Sequence, residues 1–335
     1  MQELDIQNAQ RERVLGNIVG KYGIDYLDDY LLGIRKKELV LIGADPGVGK
    51  TEIASYIAHH NAAAGLRVHM LALEADEHEI QIRGMYKMYQ SHFWADQHRD
   101  PSICFNYRNY ILGQIDLSKY DAAVRAEYLA KYKNLTIHYR DTSEVTLDDD
   151  SFDLTKLKQI IGLEKDNCDM MVIDHLHYFD LDESKPENVE LTNIMKTIRR
   201  LNLMHKFPIV AIAHLRKKID RRQIIPDNDS FMGTSNIPKI AKTNIVLSKD
   251  FEHQYEKQYL FGTFCRVLKA RAGGTSNMLA RIWFDSKVSR YRNHYDLCRV
   301  DYFGHKITDI DIVDIPDWAK NCKKLDIVAE TKPPF

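Results

Sequence analysis

The segment at residues 44–51, with the sequence ADPGVGKT, constrains the fold more than any other part of the chain. It follows a continuous apolar run at residues 39–42 and precedes residues 51–64, in which apolar side chains recur at helical spacing. A strand, a glycine-rich turn and a helix in this order are typical of a phosphate-binding loop, because the glycines let several backbone N–H groups point inward at one anion. The segment therefore predicts an α/β fold with a nucleotide site.

Two side chains of this loop have predicted roles toward ATP and Mg²⁺. Lys50 would reach the β- and γ-phosphates, and the hydroxyl of Thr51 would ligate Mg²⁺. The positive end of the following helix adds to the attraction for phosphate. A glycine-rich turn that merely happens to precede Lys-Thr is the alternative, and it leaves the flanking strand and helix without a reason. The predicted nucleotide-binding residues of the loop are Ala44, Asp45, Pro46, Gly47, Val48, Gly49, Lys50 and Thr51.

An acidic residue at the end of another apolar run predicts the second half of the metal site. Residues 170–173 are apolar, and Asp174 follows them. The carboxyl ends of parallel strands face the same crevice, so we expect Asp174 to bind the nucleotide's Mg²⁺ together with Thr51. An ordinary cap at the end of a strand is the alternative for this residue.

The catalytic base is predicted at a neighbouring strand. His175 follows Asp174, so this strand supplies no glutamate for that purpose. Glu74 ends the strand predicted at residues 68–73 and could polarise the attacking water. A solvated glutamate at the end of a strand is the alternative.

Three histidines near the predicted strand ends have different interpretations. His214 follows the strand predicted at residues 208–213, where it could contact the γ-phosphate, and a buried, hydrogen-bonded histidine is an equally good interpretation. His175 and His177 alternate along one strand end. The sequence offers no third ligand at a suitable spacing, so it gives poor support for a zinc site.

The order of the predicted elements indicates the architecture. Alternating strands and helices require right-handed crossovers and give a parallel sheet that is covered on both faces. After residue 243, strand-like segments follow one another without a long helix, which predicts an antiparallel extension at one edge of the sheet. The predicted fold is α/β, with a mostly parallel central sheet flanked by helices and an antiparallel extension on the C-terminal side. The predicted domains are an N-terminal arm at residues 1–21, an ATPase domain at 22–295 and a tail at 296–335.

Any contact with nucleic acid must come from a local group of cations, because the 47 Lys and Arg residues are balanced by 48 Asp and Glu residues. One such group lies in a long loop that leaves the catalytic edge before Gly233, and it predicts a surface for the phosphate backbone of DNA. A solvated charged face is the alternative. The predicted DNA-binding residues are Arg216, Lys217, Lys218, Arg221 and Arg222.

Two further cations, Lys269 and Arg271, stand one residue apart at the end of a predicted strand. Alternate residues of a strand project from the same face, so both side chains could grip phosphate oxygens. We therefore include both among the predicted catalytic residues.

The composition excludes two classes of protein and indicates a compartment. With 44% hydrophobic and 28% charged residues the chain is that of a folded domain, and no apolar run reaches the ~18–20 residues that a membrane span needs. The first residues are charged throughout and lack an apolar signal-peptide core. The five cysteines are scattered and predict neither a disulfide framework nor a zinc site, so we expect a cytoplasmic protein.

Several segments resemble, in order, the DnaB-type replicative helicases, a family of RecA-like hexameric P-loop ATPases. The phosphate loop itself is similar to theirs, and Ala44 in its first position is typical of that family. The other resembling segments are residues 22–39, 71–74, 170–176, 209–215 and 233–247, followed by the pair Lys269 and Arg271. The resemblance covers residues 22–292, and we expect it not to include the family's N-terminal helical domain, which handles primase.

The resemblance implies a function and a set of roles. ATP would bind at the interfaces between the subunits of a ring, and its hydrolysis would drive helicase or translocase movement along single-stranded DNA. Glu74 would be the catalytic glutamate, and His214 would be the polar sensor of the γ-phosphate, which in this family is commonly Gln or His. Lys269 and Arg271 would reach the nucleotide of the neighbouring subunit. The resemblance identifies no particular loader or primase partner.

The chain departs from the family in two places. His175 stands where an aromatic residue is common, and Phe231-Met232-Gly233 replaces the usual acidic and glycine-rich sequence of the DNA-loop segment. Two other functions therefore stay open beside the helicase. One is a recombination ATPase of the RecA or RadA type that binds DNA without unwinding it, and the other is an ATP-driven protein switch or scaffold with no nucleic-acid ligand.

Overall fold

A sheet of ten strands runs through the protein and places the predicted phosphate loop among parallel neighbours. The computed structural model describes residues 8, 11, 15–140, 152–182, 184–216, 223–233, 235–250, 259–270, 278–311 and 314–322. The strands within these ranges are β1 (Ile18–Gly20), β2 (Ile34–Arg35), β3 (Leu39–Ala44), β4 (Val68–Ala72), β5 (Leu135–Tyr139), β6 (Met170–Asp174), β7 (Ile209–His214), β8 (Thr243–Lys249), β9 (Leu260–Ala270), β10 (Met278–Asp285), β11 (Arg290–Val300) and β12 (Ile307–Asp309). The α-helices are α1 (Asp25–Leu31), α2 (Lys50–Ala63), α3 (Glu79–Ala95), α4 (Tyr107–Ile111), α5 (Ser118–Lys131), α6 (Leu154–Glu164), α7 (Glu187–His205) and α8 (Asn236–Ile240).

The strand order in the large sheet is β12-β11-β10-β9-β8-β3-β7-β6-β4-β5, and β1 pairs with β2 in a separate small sheet. The neighbours from β8 to β5 are parallel, whereas those from β8 to β12 are antiparallel. The predicted α/β architecture, a mostly parallel sheet with an antiparallel C-terminal extension, is therefore confirmed. The carboxyl ends of β3, β4, β6 and β7 lie along one edge of the sheet.

The central strands are buried on both faces, which explains their continuous apolar sequences. Every residue of β3, β4 and β6 is buried. Along β3, Val40 and Ile42 belong to the core under α1 and α2, whereas Leu39 and Leu41 belong to the core under α6 and α7. Successive side chains of a strand point to opposite faces, so a strand with helices on both sides must be apolar at every position.

The helix predicted at residues 187–205 is α7, the longest helix in the described part of the chain, with 19 residues. It buries one face, which includes Leu191, Ile194 and Ile198, against the sheet. Its other positions carry charged residues, as expected of a helix that lies on a protein surface. Neither α7 nor any other helix within the described ranges is long and apolar enough to cross a lipid bilayer.

The stretch predicted to be mostly helical, residues 77–133, contains α3, α4 and α5. It is inserted between β4 and β5 and forms a small core of its own. Met88 and Tyr89 of α3 pack there with Val124 of α5. The insertion lies next to the first turns of α2, where Lys87 pairs with Glu52.

The sheet extends beyond the domain boundaries predicted from the sequence. Strand β11 crosses the predicted boundary between residues 295 and 296, and β12 lies wholly after it. Further along, Trp318 packs on Tyr30 with the ring centroids 4.8 Å apart, and Ala319 is buried in the core. At the other end, β1 begins at Ile18, before the predicted start at residue 22. We therefore propose that one domain extends at least from residue 18 to residue 322.

Candidate active site

The phosphate loop connects the end of β3 at Ala44 to the start of α2 at Lys50. Gly47 and Gly49 have φ angles of 72° and 90°, in the left-handed region that residues with a Cβ atom rarely adopt. These two residues turn the chain directly into α2, and the carbonyl of Gly49 accepts a helical hydrogen bond from the amide of Ile53 at 3.0 Å. The amino end of a helix thus lies at the carboxyl edge of the sheet, an arrangement that attracts phosphate.

Lys50 lies among carboxylates from several strand ends. Burial lowers the pKa of its ammonium, and the charges of Glu74, Asp174 and Asp45 oppose that shift. Residues that are far apart in sequence therefore meet at one place, as the parallel sheet predicted. A partly desolvated cation held among anions attracts phosphate oxygens strongly, because its charge is weakly screened there.

Asp174 is fully buried at the end of β6. Within the described part of the chain, neither of its carboxylate oxygens accepts a hydrogen bond of normal geometry. Burial raises the pKa of Asp174 from 3.8 to about 6; the nearby Thr51 hydroxyl lowers it, Glu74 raises it and Lys50 lowers it. A buried carboxylate without hydrogen bonds is costly unless it binds a cation or takes up a proton.

The residues at this edge fit a Mg²⁺ ion that is bound with a nucleotide. Asp174 supplies unpartnered carboxylate oxygens, and the hydroxyl of Thr51 lies beside them. Mg²⁺ in nucleotide sites is usually held by one or two protein oxygens together with phosphates and water. The ranges that the structure describes contain no cluster of three or more His, Cys, Asp or Glu side chains arranged for a metal ion, which is consistent with a site that the nucleotide completes.

Glu74 lies just past the end of β4 with 42% of its side chain exposed. The Nε2 atom of His175 is 3.1 Å from its Oε2 atom, although the direction of this contact is not that of a normal hydrogen bond. Burial and the charge of Glu74 raise the pKa of Tyr178, whose hydroxyl also lies at this carboxylate. Glu74 is therefore oriented by two neighbours and open to water, as a base for hydrolysis requires.

His175, His177 and His214 form a cluster beside Lys50. The ring of His175 lies 4.0 Å from that of His214, and the ring of His177 lies 5.2 Å from it. Burial is the main cause that lowers the pKa of His175 to about 3 and of His177 to about 4, with the neighbouring imidazole His214 second in each case. Burial, followed by the charge of Lys50, also lowers the pKa of His214. The three rings are neutral at pH 7, so they add hydrogen-bonding groups to the site without adding charge.

The position of His214 matches its predicted place at the nucleotide. It pairs in register with Ala44, the first residue of the phosphate loop, and its amide donates a hydrogen bond to Nδ1 of His177 at 3.3 Å. The imidazole of His214 therefore lies at the same strand ends as the loop. Its predicted role as a γ-phosphate sensor stays a prediction.

Lys269 lies on β9, and its ammonium contacts its own subunit. It donates hydrogen bonds to the carbonyl oxygens of Pro238, Lys239 and Ala241 at 3.0, 3.0 and 2.7 Å. These carbonyls are at the C-terminal end of α8, where a cation satisfies groups that the helix leaves without partners. Lys269 thus stabilises the end of a helix, and its predicted role toward a neighbouring nucleotide is a separate prediction.

Several other predicted residues have a less complete description. Arg271 lies outside the described residues, as do Lys217, Lys218, Arg221 and Arg222. Arg216 is described and exposed, and its guanidinium donates a hydrogen bond to the carbonyl of Gly233 at 2.9 Å. The predicted roles of all these residues in binding DNA or ATP therefore stay predictions.

Lys249 also lies at the site, and the sequence analysis did not identify it. It ends β8, and its Nζ atom lies only 3.1 Å from the place that a Cβ atom on Gly47 would occupy. The two meet because β8 pairs in parallel with β3, with Leu247 opposite Ala44. A strand that ends in a cation was a possible signal, but the sequence does not show which strand lies beside β3.

The buried charge of Asp174 predicts a stability that depends on pH. The pKa of this carboxyl is about 6 in the folded protein and about 3.8 when unfolded. The folded state therefore holds this proton more tightly, and its stability falls as the pH rises from about 4 through about 6. Without Mg²⁺ or nucleotide, Asp174→Asn should increase the free energy of unfolding at pH 7.5 by on the order of 1–3 kcal/mol. Urea denaturation in the presence of EDTA measures this difference.

Asp169→Asn provides a control of opposite sign. The hydrogen bonds and charge of Arg67 lower the pKa of Asp169, so its carboxylate stabilises the folded protein at pH 7.5 and its removal should destabilise. If Asp174→Asn also destabilised the metal-free protein at this pH, Asp174 would not be the unpartnered buried charge that the geometry indicates.

Comparison with known proteins identifies the family. Residues 21–293 match the family model for the DnaB-like helicase C terminal domain. The chain is 24% identical over 216 residues to the replicative DNA helicase DnaB of Geobacillus stearothermophilus, an alignment that covers 62% of this chain and 42% of the relative. The chain therefore spans about two-fifths of the length of that helicase.

Solved structures show the same fold. One of them, an ATPase domain solved by itself, superposes with a TM-score of 0.66 at 17% identity, covering 87% of this chain and 96% of that one. A DnaB-like replicative helicase, solved in a study of its interactions with primase, gives a TM-score of 0.66 at 15% identity and covers 87% and 66% of the two chains. These likenesses confirm the predicted RecA-like fold. With the family match over most of its length, the chain belongs to the family of DnaB-like helicase C-terminal domains.

Proposed function

We propose that this chain binds ATP with Mg²⁺ at the phosphate loop, hydrolyses it, and uses the energy to move along single-stranded DNA as a helicase or translocase. The observation that carries the proposal is the fully buried carboxylate of Asp174, which lacks hydrogen bonds and lies beside Thr51 and Lys50. Such a group suits a cation that arrives with a nucleotide. Membership of the DnaB-like family supports the use of the ATPase cycle on DNA.

The proposed reaction is an in-line attack of water on the γ-phosphate. Glu74 would orient the water and accept its proton, since it is exposed and contacted by His175 and Tyr178. Lys50 would offset the charge on the β- and γ-phosphate oxygens, and the neutral imidazole of His214 would contact the γ-phosphate. Mg²⁺, held by Thr51 and Asp174, would supply the remaining neutralisation when it is bound. Ala44, Asp45, Pro46, Gly47, Val48 and Gly49 would surround the phosphates.

We propose that the active unit is a ring of copies, by analogy a hexamer, in which Arg271 reaches the nucleotide of the neighbouring subunit. Arg271 follows Lys269 by two residues at the end of β9. Because the Lys269 ammonium already donates to three carbonyls of its own subunit, we assign the larger effect in trans to Arg271. Lys269 would hold α8 in place nearby.

The DNA contact is proposed at Arg216, Lys217, Lys218, Arg221 and Arg222. These cations stand in the loop that leaves β7 just after His214, so DNA bound there would lie close to the γ-phosphate sensor. Proteins that neutralise DNA phosphates release counterions, and their affinity falls steeply as salt increases.

The proposed function is tested by the ATPase rate with and without single-stranded DNA across a series of salt concentrations. We expect DNA to raise the rate at low salt and the increase to fall steeply as salt rises. ATP hydrolysis that is indifferent to DNA at low salt would contradict the nucleic-acid part of the proposal and favour an ATP-driven protein switch.

Glu74→Gln should separate ATP binding from hydrolysis. The amide keeps the shape of the side chain but cannot accept a proton, so the rate should fall by about 10²- to 10⁴-fold while ATP still binds. Lys50→Ala is the matched contrast, because it removes the charge at the phosphates and should weaken binding as well. Nucleotide affinity and single-turnover hydrolysis measure the two effects. If Glu74→Gln lost binding and turnover together, the role of Glu74 would be structural.

Arg271→Ala should fold and bind ATP but lose most turnover, because a catalytic arginine supplied in trans is typically worth about 10³- to 10⁵-fold in rate. Mixing this variant with Lys50→Ala should restore part of the activity, since some interfaces then combine an intact phosphate site with an intact Arg271. Specific activity should also rise with protein concentration. Full activity in a dilute monomer, with no rescue on mixing, would remove the proposed ring.

A further inference from the structure

The turn between β11 and β12, residues 301–306, carries two aromatic side chains on the protein surface. We call it the aromatic turn. Tyr302 and Phe303 occupy its centre and are 92% and 66% exposed. Their ring centroids lie 5.3 Å apart in an edge-to-face arrangement, and the ring of His305 stacks on Phe303 at 5.7 Å. Surface turns are normally built from small and polar residues, so two adjacent exposed rings at this position call for a ligand.

The aromatic turn holds these rings in a fixed backbone conformation. The amide of Gly304 donates to the carbonyl of Asp301 at 3.2 Å, and the amide of Asp301 donates to the carbonyl of Lys306 at 3.0 Å. The carboxylate of Asp301 also accepts a hydrogen bond from the amide of His305 at 2.7 Å. A turn closed by three hydrogen bonds presents its side chains at a low cost in conformational entropy, which favours binding.

The aromatic turn packs against the chain just after the predicted DNA-binding cations. The amides of Ile224 and Ile225 donate to the carbonyl of Gly304 at 2.7 and 3.1 Å. Gly304 has a φ of 74°, and a Cβ atom there would lie 2.5 Å from the carbonyl oxygen of Ile225, so the contact requires glycine. Gln223 directly follows Arg222 in the sequence, and consecutive Cα atoms are about 3.8 Å apart. The basic segment therefore ends within two residues of this contact.

The surroundings of the two rings favour one kind of ligand. Single-stranded nucleic acid presents phosphates to cations and flat base faces to aromatic rings, and proteins that bind it commonly combine both features. Lys306 is exposed on the aromatic turn itself, and the five predicted DNA-binding cations precede Gln223 in the chain. The family match ends at residue 293, so the aromatic turn belongs to the part of this chain that the family model does not describe.

We propose that Tyr302 and Phe303 form a stacking platform for the bases of single-stranded DNA held by the neighbouring cations. The platform rests on the proposed function, since it acts on the same strand of DNA. Stacking on an aromatic ring uses the face that every base has, so the platform would bind bases without regard to sequence. It would hold the bases while the cations hold the phosphates.

The test compares two labelled single strands of equal length and charge, one with normal bases and one abasic, by fluorescence anisotropy with the full-length chain, Mg²⁺ and a non-hydrolysable ATP analogue. The unmodified protein should bind the normal strand more tightly. In the double variant Tyr302→Ala/Phe303→Ala, affinity for the normal strand should fall by about 5- to 30-fold, and the preference over the abasic strand should disappear. The dependence of affinity on salt should not change, because no cation is removed.

Two control variants define the effect. Tyr302→Phe/Phe303→Tyr keeps both rings and should retain the preference for bases. Leu163→Ala removes another exposed apolar side chain, 83% exposed on α6, and should leave binding and the preference as they are. All variants should have the same thermal midpoint as the parent, because each altered side chain is largely exposed.

The outcomes separate this inference from the proposed function. A protein that binds neither strand at low salt would overturn the proposed DNA function and the platform with it. A protein that binds both strands equally, or a double alanine variant that keeps the preference for bases, would overturn the platform alone.

Discussion

The hydrogen-bonded pairing of parallel strands is the constraint on which the rest of this structure depends. Because β4, β6, β7, β3 and β8 are successive parallel neighbours, their carboxyl ends all reach the same edge of the sheet. That edge receives Glu74, Asp174, His214, Lys249 and the phosphate loop from strands that are far apart in sequence. Parallel strands in turn require helical crossovers that bury both faces of the sheet, so the continuous apolar sequences of the strands and the location of the site have one physical cause.

The electrostatics of this edge oppose folding and favour ligand binding. Lys50 and Asp174 are both desolvated, and burial shifts the pKa of each group toward its neutral form. The packing of the two hydrophobic cores, one on each face of the sheet, must offset that unfavourable contribution. A nucleotide that arrives with Mg²⁺ would bring opposite charges to both groups. Sites that are costly to the empty protein in this way are usually sites of function.

This chain has features that set it apart within the family. His175 stands where the sequence analysis expected an aromatic residue, and its ring contacts Glu74 and packs on His214. Burial keeps it neutral, so the substitution introduces ring nitrogens without a charge near Lys50. The second feature is the C-terminal extension, in which β11 and β12 continue the sheet past the family match. That extension holds the aromatic turn against the segment that follows the predicted DNA-binding cations.

The sequence by itself determined the elements and the kind of site. Glycines that need positive φ, an apolar strand before them and a helix after them can fold in few ways, so the phosphate loop and the strand-end roles of Glu74 and Asp174 were predictable. Only the tertiary structure decided which strands are neighbours, because register and order depend on contacts between distant segments. It therefore placed Lys249 beside Gly47, directed the Lys269 ammonium to the end of α8, and extended the domain through β11. A cation reads the same in a sequence whether it caps a helix or faces a phosphate, and only its neighbours in space distinguish the two.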